Sequence, residues 1–154
     1  MRIILPSLSL AYSERGQGIP LLFIHGYPLN RHLWQPQLDS LADVARLIAI
    51  DLRGHNESPP EPGPYSMDFL AEDCLAFLDA LNITQPIILC GLWGGYVALA
   101  FYRKFASRVA GLILVATRAS ADSPEAKAGR ENTIATIRSQ DNKSVIEAIL
   151  LTTP

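Results

Sequence analysis

The chain has 154 residues, 49% of them hydrophobic and 18% charged, the balance of one soluble globular domain or part of one. A net charge of −2 and a pI near 5.9 give no electrostatic case for nucleic acid or an anionic membrane. Nor does any run approach the ~18 apolar residues of a membrane span.

The first ten residues hold a single Arg and a short apolar stretch broken by Pro6, without a small-residue cleavage site. The expectation from this pattern is no signal peptide and, by default, a cytoplasmic location. Arg2 to Leu5 predicts a short strand. Leu8 to Glu14 alternates apolar and polar residues, as a strand with one solvated face does. Gly16-Gln17-Gly18 turns the chain into Leu21-Leu22-Phe23-Ile24, a continuous apolar run and so a strand covered on both faces. That strand ends in His25-Gly26-Tyr27-Pro28.

Leu33, Trp34, Leu38 and Leu41 are spaced for one helix face. Val44 to Ile50 predicts another buried strand, ending in Asp51-Leu52-Arg53-Gly54-His55. Pro59, Pro60, Pro62 and Pro64 then force a loop. Ser66 is the expected N-cap of a helix reaching about Leu81, with Asp68 and Glu72 in its early turns. The two cysteines, Cys74 and Cys90, are too few for a disulfide framework and are expected as buried thiols.

Pro86 to Cys90 is an apolar strand, and Val97, Ala98, Phe101 and Phe105 continue at helical spacing. Between them lies Gly91-Leu92-Trp93-Gly94-Gly95. Val109 to Val115 is the next strand. Ser123-Pro124-Glu125 reads as a capped helix start, with helices expected over Ala126–Ser139 and Lys143–Leu151. Strands alternating with helices at this spacing predict an α/β fold: a mostly parallel sheet with helices on both faces.

Three stretches at strand ends, Leu22 to Pro28, Asp51 to His55 and the glycine-bounded turn at 91–95, resemble in order the N-terminal half of an α/β-hydrolase-fold protein. The resemblance covers about Leu8 to Arg130 and implies a partial hydrolase core over residues 1–116, with residues 117–154 starting a lid and the C-terminal core strands absent. Thr117 to Arg130 resembles enol-lactonase-like members. By resemblance the oxyanion donors are the backbone amides of Tyr27 and Trp93, His25 and Gly26 shape the loop, and Gly91, Leu92, Gly94 and Gly95 form the elbow. His25, Asp51 and Arg53 are expected to fix loops and His32 to be solvated. His55, in the wrong strand connection, is not the base.

The chain departs from the family pattern at the elbow. A G-x-S-x-G turn carries its nucleophile in a strained position, but here two residues separate Gly91 from the double glycine. Counting from the strand puts the slot at Trp93; counting back from the helix puts it at Leu92. Neither side chain attacks a carbonyl, so no catalytic residue is assigned. The family's acid and histidine follow the nucleophile, and the expectation is that this chain stops before either. The resemblance therefore implies a fragment or degenerate copy of an enzyme acting on small esters or lactones, inactive as given, with no cofactor or metal. Trp93 and Pro28 also suit an epoxide hydrolase or haloalkane dehalogenase parent; the remaining alternative is a non-catalytic protein that binds a small ligand or a partner. The strand at Val109 to Val115 is expected to be an open apolar edge prone to self-association.

Overall fold

The computed structural model describes residues 1–139, so the helix expected over Lys143–Leu151 lies outside the described residues. The chain divides into one compact unit over Met1–Ala119 and a second that begins at Ser120. The first unit carries strands β1 (Arg2–Leu5), β2 (Leu8–Arg15), β3 (Pro20–Ile24), β4 (Arg46–Ile50), β5 (Ile87–Gly91) and β6 (Gly111–Val115), side by side in the order β1-β2-β4-β3-β5-β6. β1 and β2 pair antiparallel, as do β2 and β4; β4, β3, β5 and β6 are mutually parallel. The sequence pattern follows this division. β2, antiparallel to both neighbours, shows the alternation, whereas the central parallel strands are unbroken apolar runs.

Helices α1 (Gln35–Ser40), α2 (Met67–Ala80) and α3 (Gly94–Phe105) make the crossovers. Period-two alternation sends Leu22, Ile24, Ile48, Ile50, Ile88 and Cys90 into the core shared with α2 and α3. Phe23, Leu47 and Ala49 point the other way, against Trp34 and Leu38. Helices thus cover both faces, as expected. α2 starts where Ser66 predicts: its Oγ accepts the Phe69 amide at 3.1 Å, and Asp68 sits in the first turn. Both cysteines are buried and free, and burial pushes the Cys90 thiol up to about 11 and Cys74 higher still. Neither is a thiolate at neutral pH.

Some boundaries differ from expectation. The segment at Leu33–Leu41 is a 3-10 turn, Arg31–Trp34, followed by α1. Pro36 explains the break: it has no amide to continue the earlier turn, and its fixed φ suits the first turn of a new helix. Only Trp34 and Leu38 of the four spaced residues are buried. β4 starts at Arg46, leaving Val44 exposed, and β6 starts at Gly111.

β6 is the sheet's edge among the described residues. Ile113, Leu114 and Val115 are 42–48% exposed. Successive strand residues face opposite sides, so this edge is open on both faces.

In the second unit, α4 (Pro124–Ser139) is capped by Ser123, whose Oγ accepts the Ala126 amide at 3.3 Å. Among the described residues no helix is long and apolar enough to cross a membrane.

Candidate functional site

The parallel register brings Ile24, Ile50 and Cys90 level, so the loops that follow β3, β4 and β5 emerge together at one end of the sheet. Open α/β sheets place ligand sites at this end. The elbow between β5 and α3 defines its centre. β5 runs through Gly91, and the next amide, that of Leu92, still donates to the Val115 carbonyl at 3.1 Å. The chain then turns at Leu92, whose φ is +53°, and α3 begins at Gly94. The Gly95 amide closes the turn on the Leu92 carbonyl at 3.2 Å.

A leucine in the left-handed region costs on the order of 1–2 kcal/mol. A nucleophile elbow holds its nucleophile in a strained strand-to-helix turn of this kind. Of the two residues between Gly91 and Gly94, Leu92 carries the positive φ and Trp93 follows it into α3. Gly91, which looks like the first glycine of the turn, is a strand residue. Its missing side chain makes room for the Trp34 ring, which lies 3.3 Å from where a Cβ would sit.

Close approach fixes the remaining glycines. A Cβ on Gly94 would lie 2.4 Å from the His25 carbonyl oxygen and 2.9 Å from that of Ile24; on Gly95 it would lie 2.0 Å from Thr117 Oγ1. The first clash is with backbone at the root of the neighbouring loop, the second with a side chain. Gly94→Ala is therefore expected to cost about 1–3 kcal/mol, and more than Gly95→Ala. Denaturant midpoints measure both, and a Gly94→Ala protein as stable as Gly95→Ala would contradict the packing.

Leu92 also touches the loop after β3: a Cβ on Gly26 would lie 2.7 Å from the Leu92 Cβ. Next to this contact are the amides of Tyr27 and Trp93, neither of which donates in any hydrogen bond among the described residues. Leu92 is 42% exposed and Tyr27 43%.

Beneath this surface His25 is fully buried. Its Nδ1–H donates to the Gly26 carbonyl at 3.0 Å, and its Nε2 accepts the Leu52 amide at 3.0 Å. Both ring nitrogens are used, and the ring ties the β3 loop to the β4 loop. Burial lowers its pKa from 6.5 to about 4, so it is neutral; the charge of nearby His55 adds to the shift, while the Gly26 bond and Asp51 oppose it.

Asp51 and Arg53 are also spoken for. The Asp51 carboxylate accepts from the Arg31 amide at 2.8 Å, the Arg31 guanidinium and Asn56 Nδ2 at 2.9 Å. Arg53 makes a two-pronged pair with Asp73, both bonds 2.8 Å, and a third contact with Glu61 at 2.9 Å. These groups hold the loops in place, as expected. His32 is exposed and bonded to Asn30.

His55, which is not assigned as the base, lies at the same end of the sheet. Its ring centroid lies 4.9 Å from that of His25, 6.2 Å from Tyr27 and 6.4 Å from Trp93. The loop after β4 carries it beside the loop after β3 and the elbow. Arg31 and Asp73, the buried charge partners, have no local sequence signature: each lies 20 residues from its partner. Thr117 Oγ1, pressed against Gly95, is buried without a hydrogen-bond partner among the described residues.

Comparison with known proteins agrees with this geometry. The family described as alpha/beta hydrolase fold matches residues 19–137. Bifunctional epoxide hydrolase 2 of Sus scrofa is 33% identical over 116 residues, covering 71% of this chain and 21% of that protein. A thermophilic esterase from Thermogutta terrifontis, solved with malate bound, superposes with a TM-score of 0.89 at 37% identity, covering 96% of this chain and 57% of that one. Est816, described as an N-acyl homoserine lactone degrading enzyme, superposes with a TM-score of 0.76 at 27% identity, covering 86% and 52%. The chain thus spans about a fifth of the curated relative and little more than half of the solved ones.

Proposed function

The chain belongs to the α/β hydrolase fold family, and from that premise we propose that its strand-end face is the site of an esterase or lactonase lineage in which Leu92 occupies the nucleophile position. On this reading the Tyr27 and Trp93 amides are the oxyanion donors, and the chain as given binds small esters or lactones without turning them over. One observation carries the proposal: the residue strained at φ +53° at the elbow tip is a leucine. A hydrocarbon side chain has no lone pair to attack a carbonyl and no proton for a base to remove. The family order supports it further. Acid and base follow the nucleophile along the chain, whereas His25, His32 and His55 all precede Leu92. Residues 117–154 would then start a lid.

The esterase and lactonase neighbours favour the ester-bond reading. The epoxide hydrolase relative supports a second, in which the parent carried an aspartate at the tip and opened epoxides or haloalkanes. The first test is turnover of p-nitrophenyl acetate by the purified chain, expected at background. Activity that survives repurification and vanishes on mutation of Leu92 or Trp93 would overturn the proposal.

The exposed β6 edge adds a prediction about association. Residues 1–154 expressed alone are expected to self-associate through Ile113, Leu114 and Val115, because an open apolar edge recruits other strands. Sedimentation should show oligomers that dissociate on Ile113→Lys/Val115→Lys. A monomer before substitution, with a sharp melt, would remove the prediction.

A further inference from the structure

The two neighbouring histidines of the strand-end face differ in one respect. His25 uses both ring nitrogens internally. His55 uses one: its Nδ1 lies 3.1 Å from the Arg53 carbonyl oxygen. A carbonyl only accepts, so Nδ1 carries the proton and the Nε2 of the neutral ring is an acceptor. No hydrogen bond among the described residues engages that Nε2. His55 is half-buried, its orientation held by the Arg53 carbonyl and its ring flanked by those of His25, Tyr27 and Trp93.

We infer that His55 Nε2 is the acceptor with which this face selects ligands that carry a hydroxyl on an apolar, ring-sized body. The inference rests on the proposal that the face is the ligand site, and goes beyond it by naming the group that discriminates. Tyr27, Trp93 and Leu92 offer ring and alkyl surface. The charged groups of the neighbouring loops are already committed. On the β4 loop, the Asp51 carboxylate is held by Arg31 and Asn56, and the Arg53 guanidinium by Asp73 and Glu61. On the β3 loop, His25 is held neutral by burial. The elbow contributes the uncharged Trp93. An alcohol proton thus finds one open acceptor ring among apolar surfaces, and a ligand lacking it leaves Nε2 unpaired on binding.

The test uses the 15N-labelled full chain, with 2-phenylethanol and its methyl ether as probes. The two share the apolar body, and only the alcohol donates. Both are expected to shift the Tyr27, Leu92 and Trp93 amides; only the alcohol should move His55 Nε2, and it should bind roughly three- to tenfold more tightly. His55→Phe should abolish the preference and His55→Gln, whose Oε1 still accepts, should keep part of it. Equal affinities for the two probes, or amide shifts without a His55 response, overturn the role of His55 while leaving the site standing. No shift at the three amides with either probe overturns the site and this inference with it.

Discussion

Leu92→Ser is expected to give at most a trace of ester cleavage by itself, and strong cleavage once an acid and a histidine are supplied. The substitution places a hydroxyl at the strained tip without altering the length of the turn, because the structure already closes the elbow between Gly91 and Gly94. Inserting a serine between Leu92 and Trp93, the repair that the spacing of glycines suggests, would instead push Gly94 out of its contact with the His25 carbonyl. The serine hydroxyl at its free pKa is a weak nucleophile and needs an adjacent base. Triad members act as a unit: in a serine protease the loss of the nucleophile or the histidine alone costs about as much as the loss of all three, ~10⁶-fold in kcat. A four-protein series reads this out: the chain as given, Leu92→Ser, the chain fused to the remaining part of the esterase it matches over 57% of its length, and both changes together. The doubly changed protein should exceed each single change by at least ~10³-fold on p-nitrophenyl acetate. Full ester hydrolysis by the fusion with Leu92 intact would show that the elbow has been misassigned. Activity only with Leu92→Asp, and only on epoxides or haloalkanes, would move the lineage to the epoxide hydrolases.

The elbow also shows where the sequence stops being informative. The strands were legible because burial on both faces leaves an unbroken apolar run, and α2 because Ser66 and Asp68 mark its start. The tip was not, because a glycine has more than one physical use. Gly91 could be turn or strand. Its role is set by Trp34, 57 positions away in the chain, which packs where a side chain would be. The same limit applies to Arg31 and Asp51, or Arg53 and Asp73, which are ion pairs only once the β4 loop folds back. The nearness of His55 to Trp93 is likewise not written in chain order: it follows β4, and only the strand order β4-β3-β5 brings that strand end near the elbow.

The loop root under the site should make stability depend on pH through His25. Its folded pKa, about 4, lies below the 6.5 of the free side chain, so the folded state resists taking up the proton that the unfolded chain accepts. The contribution is complete above about pH 6.5, is lost as pH falls from there to about 4, and then levels off. The interval corresponds to about 3 kcal/mol. The geometry gives the same sign: a proton on Nε2 would face the Leu52 amide, which now donates to it. His25→Gln separates this effect from the carboxylates that also titrate in the range. At neutral pH the variant should be less stable by about 1–3 kcal/mol, since Gln does not reproduce both hydrogen bonds of a buried ring. As pH falls the wild-type chain should lose its advantage, because only it has an imidazole at position 25 to protonate on unfolding. Urea unfolding at intervals from about pH 7 to about pH 4 gives the difference between the two proteins, in which the shared carboxylates cancel. A difference that stays constant across that range would mean that His25 takes up its proton as readily in the fold as in the unfolded chain, and that the bond to Leu52 is not what joins the two loops.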